Sequence, residues 1–358
     1  MVNTVSHLGV GLLIALALGF KGNKRWTIAF LSILPDLDFI PHMVFFFISD
    51  SLSHAARNQL FYILGHREFM HSLLFISLVT LLLWFRTKDR LLTAGGFAAL
   101  ISHFYMDYAT SWKMRPLYPF STDSSILGAI YFFDPLLNLL PLLPLFIVLV
   151  DEMKNRGRWE GKFKGFCTYV RRNDNKLYAA LIFVLMLWFA VAPIAKVLVV
   201  HHISEAEGAE ISYQNTYPAS AGRFLSAYSY NDTHYRILET TYWGGIERSG
   251  FVEKMSVSGD VPEASEYAAK TEKLYLSGVP LEIDYPVYNV SGENGSVTVV
   301  LSDARNPYIR YWAYFETVYR FVFYEDSEEY EVYASVHGEE EERLADNWFE
   351  RELVKLFA

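Results

Sequence analysis

The chain has 358 residues, 52% of them hydrophobic and 20% charged, with one cysteine and a formal net charge of −9. This composition excludes a disordered chain, and a single cysteine excludes a disulfide framework or a cysteine-based zinc cluster. The negative charge argues against a nucleic-acid partner. Residues 1–200 contain 19 Lys/Arg and 12 Asp/Glu, a net charge of +7, whereas residues 201–358 contain 12 and 28, a net charge of −16. The sequence therefore predicts two domains of different chemistry, 1–200 and 201–358.

The first domain is dominated by long apolar runs. They lie at residues 5–20, 26–48, 69–86, 92–111, 128–150 and 177–200. Most approach the ~20 apolar residues that a helix needs to cross a bilayer core of ~30 Å. We therefore expect an α-helical integral membrane bundle of about six transmembrane helices.

The basic residues of this domain predict its orientation. They concentrate at 21–25, 86–90 and 154–176, in alternate connections between the runs. Cytoplasmic loops are enriched in Lys and Arg, so these connections are expected on the cytoplasmic side. This pattern predicts a multi-pass protein of the cell (inner or plasma) membrane, with everything after residue 201 outside the cytoplasm.

Residues 201–358 predict an acidic, β-rich (α+β) extracytoplasmic domain. Val, Tyr, Thr and Phe alternate with polar residues at 235–243, 297–301 and 308–324, as in half-buried strands. From residue 339 the pattern becomes helical, so we expect the domain to end in a helix with Leu344 and Trp348 on its apolar face. No catalytic constellation is visible here, and a protein partner is one role open to this domain.

Ionisable residues within the apolar runs, or in the motif that opens the third run, are candidates for a functional site, because charge inside a membrane is costly. The candidates are His7, Asp36, Asp38, His66, Arg67, His71, His103 and Asp107. His7, Asp36, His71 and His103 lie 11 to 15 residues from the nearest basic connection. In a helix this is ~16–22 Å, so the four share a similar depth. One common site is the simplest interpretation.

Local spacing supports metal binding at two of the motifs. His103 and Asp107 are four residues apart and project from the same face of a helix. Asp36 and Asp38 cannot share a helical face, but Pro35 and Pro41 favour a broken segment in which both carboxylates turn inward.

The third motif, Gly65-His-Arg-Glu-Phe-Met-His71, imposes a condition. His66 and His71 are ~140° apart on a regular helix, so they can share a centre only if His66 lies on the turn before the helix. Imidazole and carboxylate ligands together suit one or two divalent transition-metal ions, with zinc as the first choice and manganese or iron as alternatives. Arg67 could bind substrate or hold a ligand carboxylate. Asp134 precedes Pro135 and is ambiguous between the site and a helix cap.

These motifs, taken in order, resemble a known family. Leu-Pro-Asp-Leu-Asp at 34–38, Gly-His-Arg at 65–67 with His-Ser-Leu at 71–73, Ser-His-(x)3-Asp at 102–107 and Arg-Pro-Leu-Tyr-Pro-Phe at 115–120 are similar to the membrane-bound metal-dependent hydrolases. This family is also described as LexA-binding, inner-membrane-associated hydrolases (YdjM-like). The resemblance covers about residues 1–150 and implies a role for all eight candidates. Glu68 and Met70 depart from it, standing where the family has Gly and Thr.

The sequence thus predicts a membrane-embedded, metal-dependent hydrolase. The expected substrate is a phosphoester or an ester, and a lipid-linked molecule would suit a site at this depth. His7, Asp36, Asp38, His66, His71, His103 and Asp107 are the candidate metal ligands, and Arg67 and Asp38 are the candidate catalytic residues. Two alternatives stay open at this point: an intramembrane metal or proton transporter, and a membrane anchor that presents the C-terminal domain to a partner.

Overall fold

The computed structural model of the chain describes residues 4–49, 54–110, 113–155, 164–243, 245–278, 283–293, 295–308, 315–324, 327, 329–336 and 340–344. The chain forms two units. One comprises Met1–Met43 and Tyr62–Ala195, and the other comprises Val44–Phe61 and Lys196–Ala358. All eight candidate site residues belong to the first unit.

Helices form on every one of the six apolar runs. They are α1 (Thr4–Ala17), α2 (Gly22–Leu31), α3 (Phe39–Ser49), α4 (His54–Leu64), α5 (Leu73–Thr87), α6 (Arg90–Tyr108), α7 (Pro135–Leu139), α8 (Leu142–Asn155) and α9 (Lys164–Glu207), with α10 (Ala264–Gly278) further along the chain. Short 3₁₀ helices occupy Pro35–Asp38, Phe69–His71 and Asn306–Tyr308.

The prediction of about six transmembrane helices is wrong. Within the described part of the chain, only Lys176–Glu207, 32 residues of α9, is long and apolar enough to cross a membrane. A second span results only if Gly22–Leu31 and Pro35–Phe45, bent by 58°, are counted as one broken helix.

The reason lies in helix length and polarity. The 14 residues of α1 and the 15 of α5 cover only about 21–23 Å at 1.5 Å per residue, short of the ~30 Å hydrocarbon core. With 19 residues α6 is longer, but its polar residues, among them His103 and Asp107, lower its hydropathy.

Helix α1 packs closely against α2 in the first unit. Gly11 of α1 faces Ser32 at the end of α2, where a Cβ would lie 2.6 Å from Ser32 Cβ and overlap its hydroxyl. Gly9 is similarly pressed against the backbone of Pro141. Only glycine allows this approach, because interiors are packed too densely to accept an extra methyl group without displacement. The contact brings His7, which precedes both glycines on α1, into the interior of the unit.

Among the described residues of the second unit, the strands are β1 (Tyr217–Ser220), β2 (Arg223–Ser229), β3 (His234–Thr241), β4 (Ile246–Glu253), β5 (Met255–Ser258), β6 (Pro286–Glu293), β7 (Ser296–Asp303), β8 (Val318–Tyr324), β9 (Tyr330–Ser335) and β10 (Glu342–Leu344). They form a four-stranded antiparallel sheet of order β1-β2-β3-β4 and a six-stranded sheet of order β10-β9-β8-β7-β6-β5, in which β5 and β6 pair in parallel and the other neighbours are antiparallel.

Alternation along the strands gives the six-stranded sheet its buried face. Val299 of β7 and Phe321 of β8 are fully buried, and their register partnership places them opposite each other. The amphipathic α10 contacts this sheet, with Tyr267 packed against Phe323 at a ring-centroid distance of 5.5 Å. The predicted C-terminal helix lies mostly outside the described residues. Its predicted start is instead the strand β10, which pairs with β9.

Candidate metal centre

The candidate site is assembled from two interruptions between helices and two continuous helices. The 3₁₀ helix Pro35–Asp38, after the end of α2, carries both aspartates of the first motif. The second interruption, 65–72, separates α4 from α5 and carries His66, Arg67 and His71. This meets the condition set by the sequence, because His66 precedes the helix instead of lying on it. The remaining residues come from α1 and α6.

Four of the predicted ligands form one compact group. His7, Asp36, His103 and Asp107 each offer a ligand atom, and these atoms lie within 4.8 Å of one another. Three of the four side chains are fully buried, and that of Asp36 is 10% exposed. The rings of His7 and His103 stack at a centroid distance of 3.9 Å. The structure therefore contains a His/Asp cluster that could hold a metal ion.

His103 is held in a single orientation. Its Nδ1–H donates to the backbone carbonyl of Ser32 at 2.8 Å, since a carbonyl can only accept. The lone pair is consequently on Nε2, which faces the cluster. His71 Nε2 lies 3.1 Å from His103 Nε2, and 3.4 Å from Asp107 Oδ2. His71 thus borders the four-residue group.

Asp38 occupies the centre of an adjoining group. Its carboxylate accepts a hydrogen bond from the backbone N–H of Arg67 at 2.8 Å, and it lies 2.5 Å from His66 Nδ1. The second carboxylate oxygen also lies 3.1 Å from His71 Nδ1. All three contacts come from the 65–72 interruption, so Asp38 ties that segment to the 3₁₀ helix.

Arg67 adopts an unusual backbone conformation. Its φ of 63° lies in the left-handed region, which is costly for a residue with a Cβ. This conformation lets one residue make two contacts: the backbone N–H reaches Asp38, and the guanidinium Nη2 lies 3.1 Å from Asp107 Oδ2. Strained conformations of this kind persist where the surroundings fix them, often at functional sites.

Sequence reasoning missed several residues around the centre. Arg115 is buried and forms an ion pair with Glu68, and its Nε donates to the carbonyl of Thr122 at 2.8 Å. The Arg-Pro-Leu-Tyr-Pro-Phe motif was a signal for Arg115, and the departure at Glu68 was a signal for its partner. Burial raises the pKa of the Glu68 carboxyl to about 7, against the opposing effect of Arg115. Ser32 acts through its main chain, which no residue pattern reveals.

Asp134 and His42 lie outside the compact group. Asp134 is the N-cap of α7, because its carboxylate accepts from the backbone N–H of Leu137 at 3.0 Å. The structure therefore supports a helix cap, and not a site residue, for Asp134. His42 of α3, which the sequence did not place in the site, is buried and interacts electrostatically with Asp38 and His66.

The donor set fits a divalent transition metal. Imidazole nitrogen and carboxylate oxygen are the mixture that zinc, manganese and iron accept. Neither ring nitrogen of His7 makes a hydrogen bond of good geometry among the described residues, nor does Asp36 Oδ2. Buried polar atoms left in this state are costly unless a ligand or ion satisfies them.

The described part of the chain contains a buried His/Asp cluster able to hold a metal ion and one helix long and apolar enough to cross a membrane. Residues 1–199 match the model of the family described as YdjM inner membrane protein. The chain belongs to this family, which indicates the inner membrane as its location. No significant match is found among curated proteins, and none among solved structures.

Proposed function

We propose that the cluster binds one or two divalent transition-metal ions, with zinc as the first choice, and that the protein hydrolyses a phosphoester or an ester. One observation carries the metal-binding part: the Nε2 atoms of His71 and His103 face each other at 3.1 Å. Each ring has an acceptor beside its Nδ1, namely Asp38 for His71 and the Ser32 carbonyl for His103.

In His103 the Ser32 carbonyl places the proton on Nδ1. In His71 the Asp38 carboxylate lies beside Nδ1 at 3.1 Å without the geometry of a hydrogen bond, and its charge favours the same tautomer. Two nitrogen lone pairs would then point at each other in a buried space, which is unfavourable without a cation. Two histidine nitrogens on one tetrahedral zinc ion, with bonds of ~2.0–2.1 Å, would be ~3.4 Å apart. The separation in the structure is close to that value.

The residues divide into ligands and residues that position ligands. His7, Asp36, His71, His103 and Asp107 have donor atoms in or beside the compact group and are the proposed ligands. Asp38 already faces three nitrogen atoms. We therefore propose that it orients the rings of His66 and His71, and not that it transfers a proton in the reaction. His66 contacts Asp38 beside the compact group and could be a ligand of a second metal ion.

A bound divalent ion would polarise the substrate and lower the pKa of a coordinated water. Arg67 would neutralise part of the negative charge of Asp107 and stabilise charge that develops on the substrate. Burial of the cluster excludes bulk water, which strengthens both effects. The expected substrate has an anionic phosphoryl group or an ester carbonyl.

Metal analysis of purified full-length protein tests the proposal, coupled to a screen of phosphoesters and esters. Wild-type protein is expected to bind metal stoichiometrically and to hydrolyse at least one substrate class. The variants His103→Ala and Asp107→Asn should lose both properties, whereas His201→Ala, a change at an exposed histidine outside the cluster, should retain them. A wild-type protein without stoichiometric transition metal after purification without chelator would overturn the proposal.

We also propose that the acidic C-terminal part lies outside the cytoplasm. The basic stretch 154–176 immediately precedes the Lys176–Glu207 helix, and positive charge favours the cytoplasmic side of a span. At 1.5 Å per residue this helix covers ~48 Å, enough to cross the bilayer. A reporter fused after Ala358 should be active outside the cytoplasm, and cytoplasmic activity would contradict this orientation.

A further inference from the structure

The turn between β3 and β4 exposes a large aromatic side chain. Among the described residues, Trp243 in this turn is the most exposed large hydrophobic residue, at 95%. Ile246, at the start of β4, is 38% exposed. Folded domains usually bury most of a tryptophan, but tryptophan is enriched where a membrane meets water, because its ring is apolar and its N–H is polar. The position of the turn along α9 distinguishes a membrane from another partner.

The four-stranded sheet is attached to the end of α9 by polar and apolar contacts. Glu207 accepts hydrogen bonds from the Tyr228 hydroxyl at 2.9 Å and from Arg236 Nε at 3.1 Å. Tyr228 and Arg236 are paired neighbours on β2 and β3. Ile203, about one turn earlier on α9, belongs to the same core cluster as Tyr228 and Leu238. These contacts fix the beginning of β3 at the end of α9.

A second attachment lies closer to the apolar part of α9. Lys196 Nζ is 3.9 Å from the centroid of the Tyr213 ring. The carbonyl of Tyr213 accepts from the backbone N–H of Thr216 at 3.4 Å, and Thr216 Oγ1 lies 3.0 Å from Ser226 Oγ. Ser226 of β2 pairs with Leu238 of β3. A chain of contacts therefore links Lys196 to the sheet at the level of Leu238.

The two attachments give β3 a direction relative to α9. Lys196 and Glu207 are 11 residues apart, ~16 Å along the helix. Because β3 passes the second level after the first, it runs back along α9 towards the apolar part of that helix. Trp243 follows Leu238 by five residues, up to ~16 Å further in this direction. The apolar run ends at residue 200, before the exposed His201, so the turn lies near the level at which this run ends.

We propose that the β3–β4 turn anchors the four-stranded sheet in the head-group region of the bilayer that α9 crosses. Trp243 inserts among the lipid head groups, and Ile246 adds apolar surface beside it. The attraction is not ionic, because Arg223, which faces the end of β3 in the register, already pairs with Glu239 and Glu247. An uncharged lipid surface is therefore sufficient. The anchoring is independent of the proposed hydrolysis.

Fluorescence quenching by lipid tests this contact in the full-length protein. The protein is reconstituted, one chain per disc, in nanodiscs of phosphatidylcholine that contain a phospholipid with a nitroxide near its head group. Cys167→Ser removes the single cysteine, and Gly245→Cys then carries a fluorophore two residues from Trp243. The position has space, because the nearest described atom to a Cβ there, apart from the chain neighbours, is Thr241 Oγ1 at 3.8 Å.

The matched control carries the fluorophore at Asp232→Cys. Asp232 is also exposed, but it lies in the turn at the other end of β3, a strand of 8 residues and ~26 Å. The nitroxide lipid should quench the label at 245 several-fold more strongly than the label at 232. Equal quenching at the two positions, or none at 245, would overturn the proposal and leave the turn to a protein partner or to a second copy of the chain.

Trp243→Ser tests the tryptophan itself, with the label kept at 245. Quenching at 245 should fall several-fold in this variant, while the melting temperature should change little, because Trp243 is almost fully exposed. Quenching that stays at the level of the protein with Trp243 intact would show that the tryptophan does not hold the turn at the membrane, and would overturn its role as the anchor.

Discussion

Replacing Asp38 with asparagine tests whether Asp38 orients the metal ligands or is itself a metal ligand. The Asp38 carboxylate faces three nitrogens, from His66, His71 and the backbone of Arg67. Asparagine has the same shape but only one acceptor oxygen, and its amide nitrogen donates. In Asp38→Asn either the oxygen that accepts from the Arg67 N–H or the oxygen beside His66 Nδ1 is therefore replaced by an amide nitrogen, which is a donor.

The expected effect on metal binding is moderate. A hydrogen bond to a charged group contributes ~1.5–3 kcal/mol, and removal of a group that orients a metal ligand typically costs ~10–100-fold in affinity. At 1.4 kcal/mol per factor of ten, that loss is ~1.4–2.8 kcal/mol. Asp38→Asn should therefore weaken metal binding ~10–100-fold and still reach the wild-type stoichiometry at saturating metal.

Competition with a chelator of known affinity measures this change in the full-length protein. Asp123→Asn is the matched control, because Asp123 is exposed and hydrogen-bonds locally with Ser121. Two results would refute the assignment. Unchanged affinity would show that Asp38 does not orient His71, and loss of the metal even at saturation would make Asp38 a direct ligand.

Three further predictions follow from other contacts. Gly11→Ala should lower both the melting temperature and metal affinity, because the new methyl overlaps Ser32, whose carbonyl holds the His103 ring; thermal unfolding and chelator competition measure this. Arg67→Gly should be more stable than Arg67→Ala by ~1 kcal/mol in chemical unfolding, since glycine accepts the positive φ, yet both should lose hydrolysis. Arg305→Ala should cost ~3–5 kcal/mol of unfolding free energy, because it leaves Asp303 buried without its guanidinium partner.

The controls for these variants are substitutions at positions with more space or greater exposure to solvent. Apart from its chain neighbours, the nearest described atom to a Cβ at Gly245 would be Thr241 Oγ1 at 3.8 Å, so Gly245→Ala should leave the melting temperature nearly unchanged. Arg223 pairs with Glu239 and Glu247 at the surface, so Arg223→Ala should cost at most ~1 kcal/mol. If these substitutions destabilised as much as Gly11→Ala and Arg305→Ala, the packing and burial arguments would fail.

The candidate cluster could be predicted from the sequence because its polar residues stand within apolar segments. His103 and Asp107 stand out in an apolar run, and their spacing of four residues fixes their common face. The sequence did not predict which of these residues are metal ligands and which only position the ligands. It depends on which atom of Asp38 meets which ring, and on the Ser32 carbonyl, and both arise from tertiary packing.

The number of membrane-crossing helices was overestimated for a related reason. A hydropathy run records how apolar a segment is, but it does not show where the helix within it stops. Pro35 predicts a break within the run 26–48, but the prediction of six spans still counts this run as one transmembrane helix. The 58° bend at this position is the consequence.

The interruptions and the cluster have a common physical basis. Within a continuous helix the backbone N–H groups are used by the helix itself, and side chains two residues apart diverge. The 3₁₀ turn lets Asp36 and Asp38 both face the cluster, and the 65–72 interruption frees the N–H of Arg67 for Asp38. Straight helices could not supply this set of contacts. The sequence features that shorten the apolar helices are therefore the ones that build the proposed metal site, and restoring a continuous helix at Pro35 should abolish metal binding while raising local helix content.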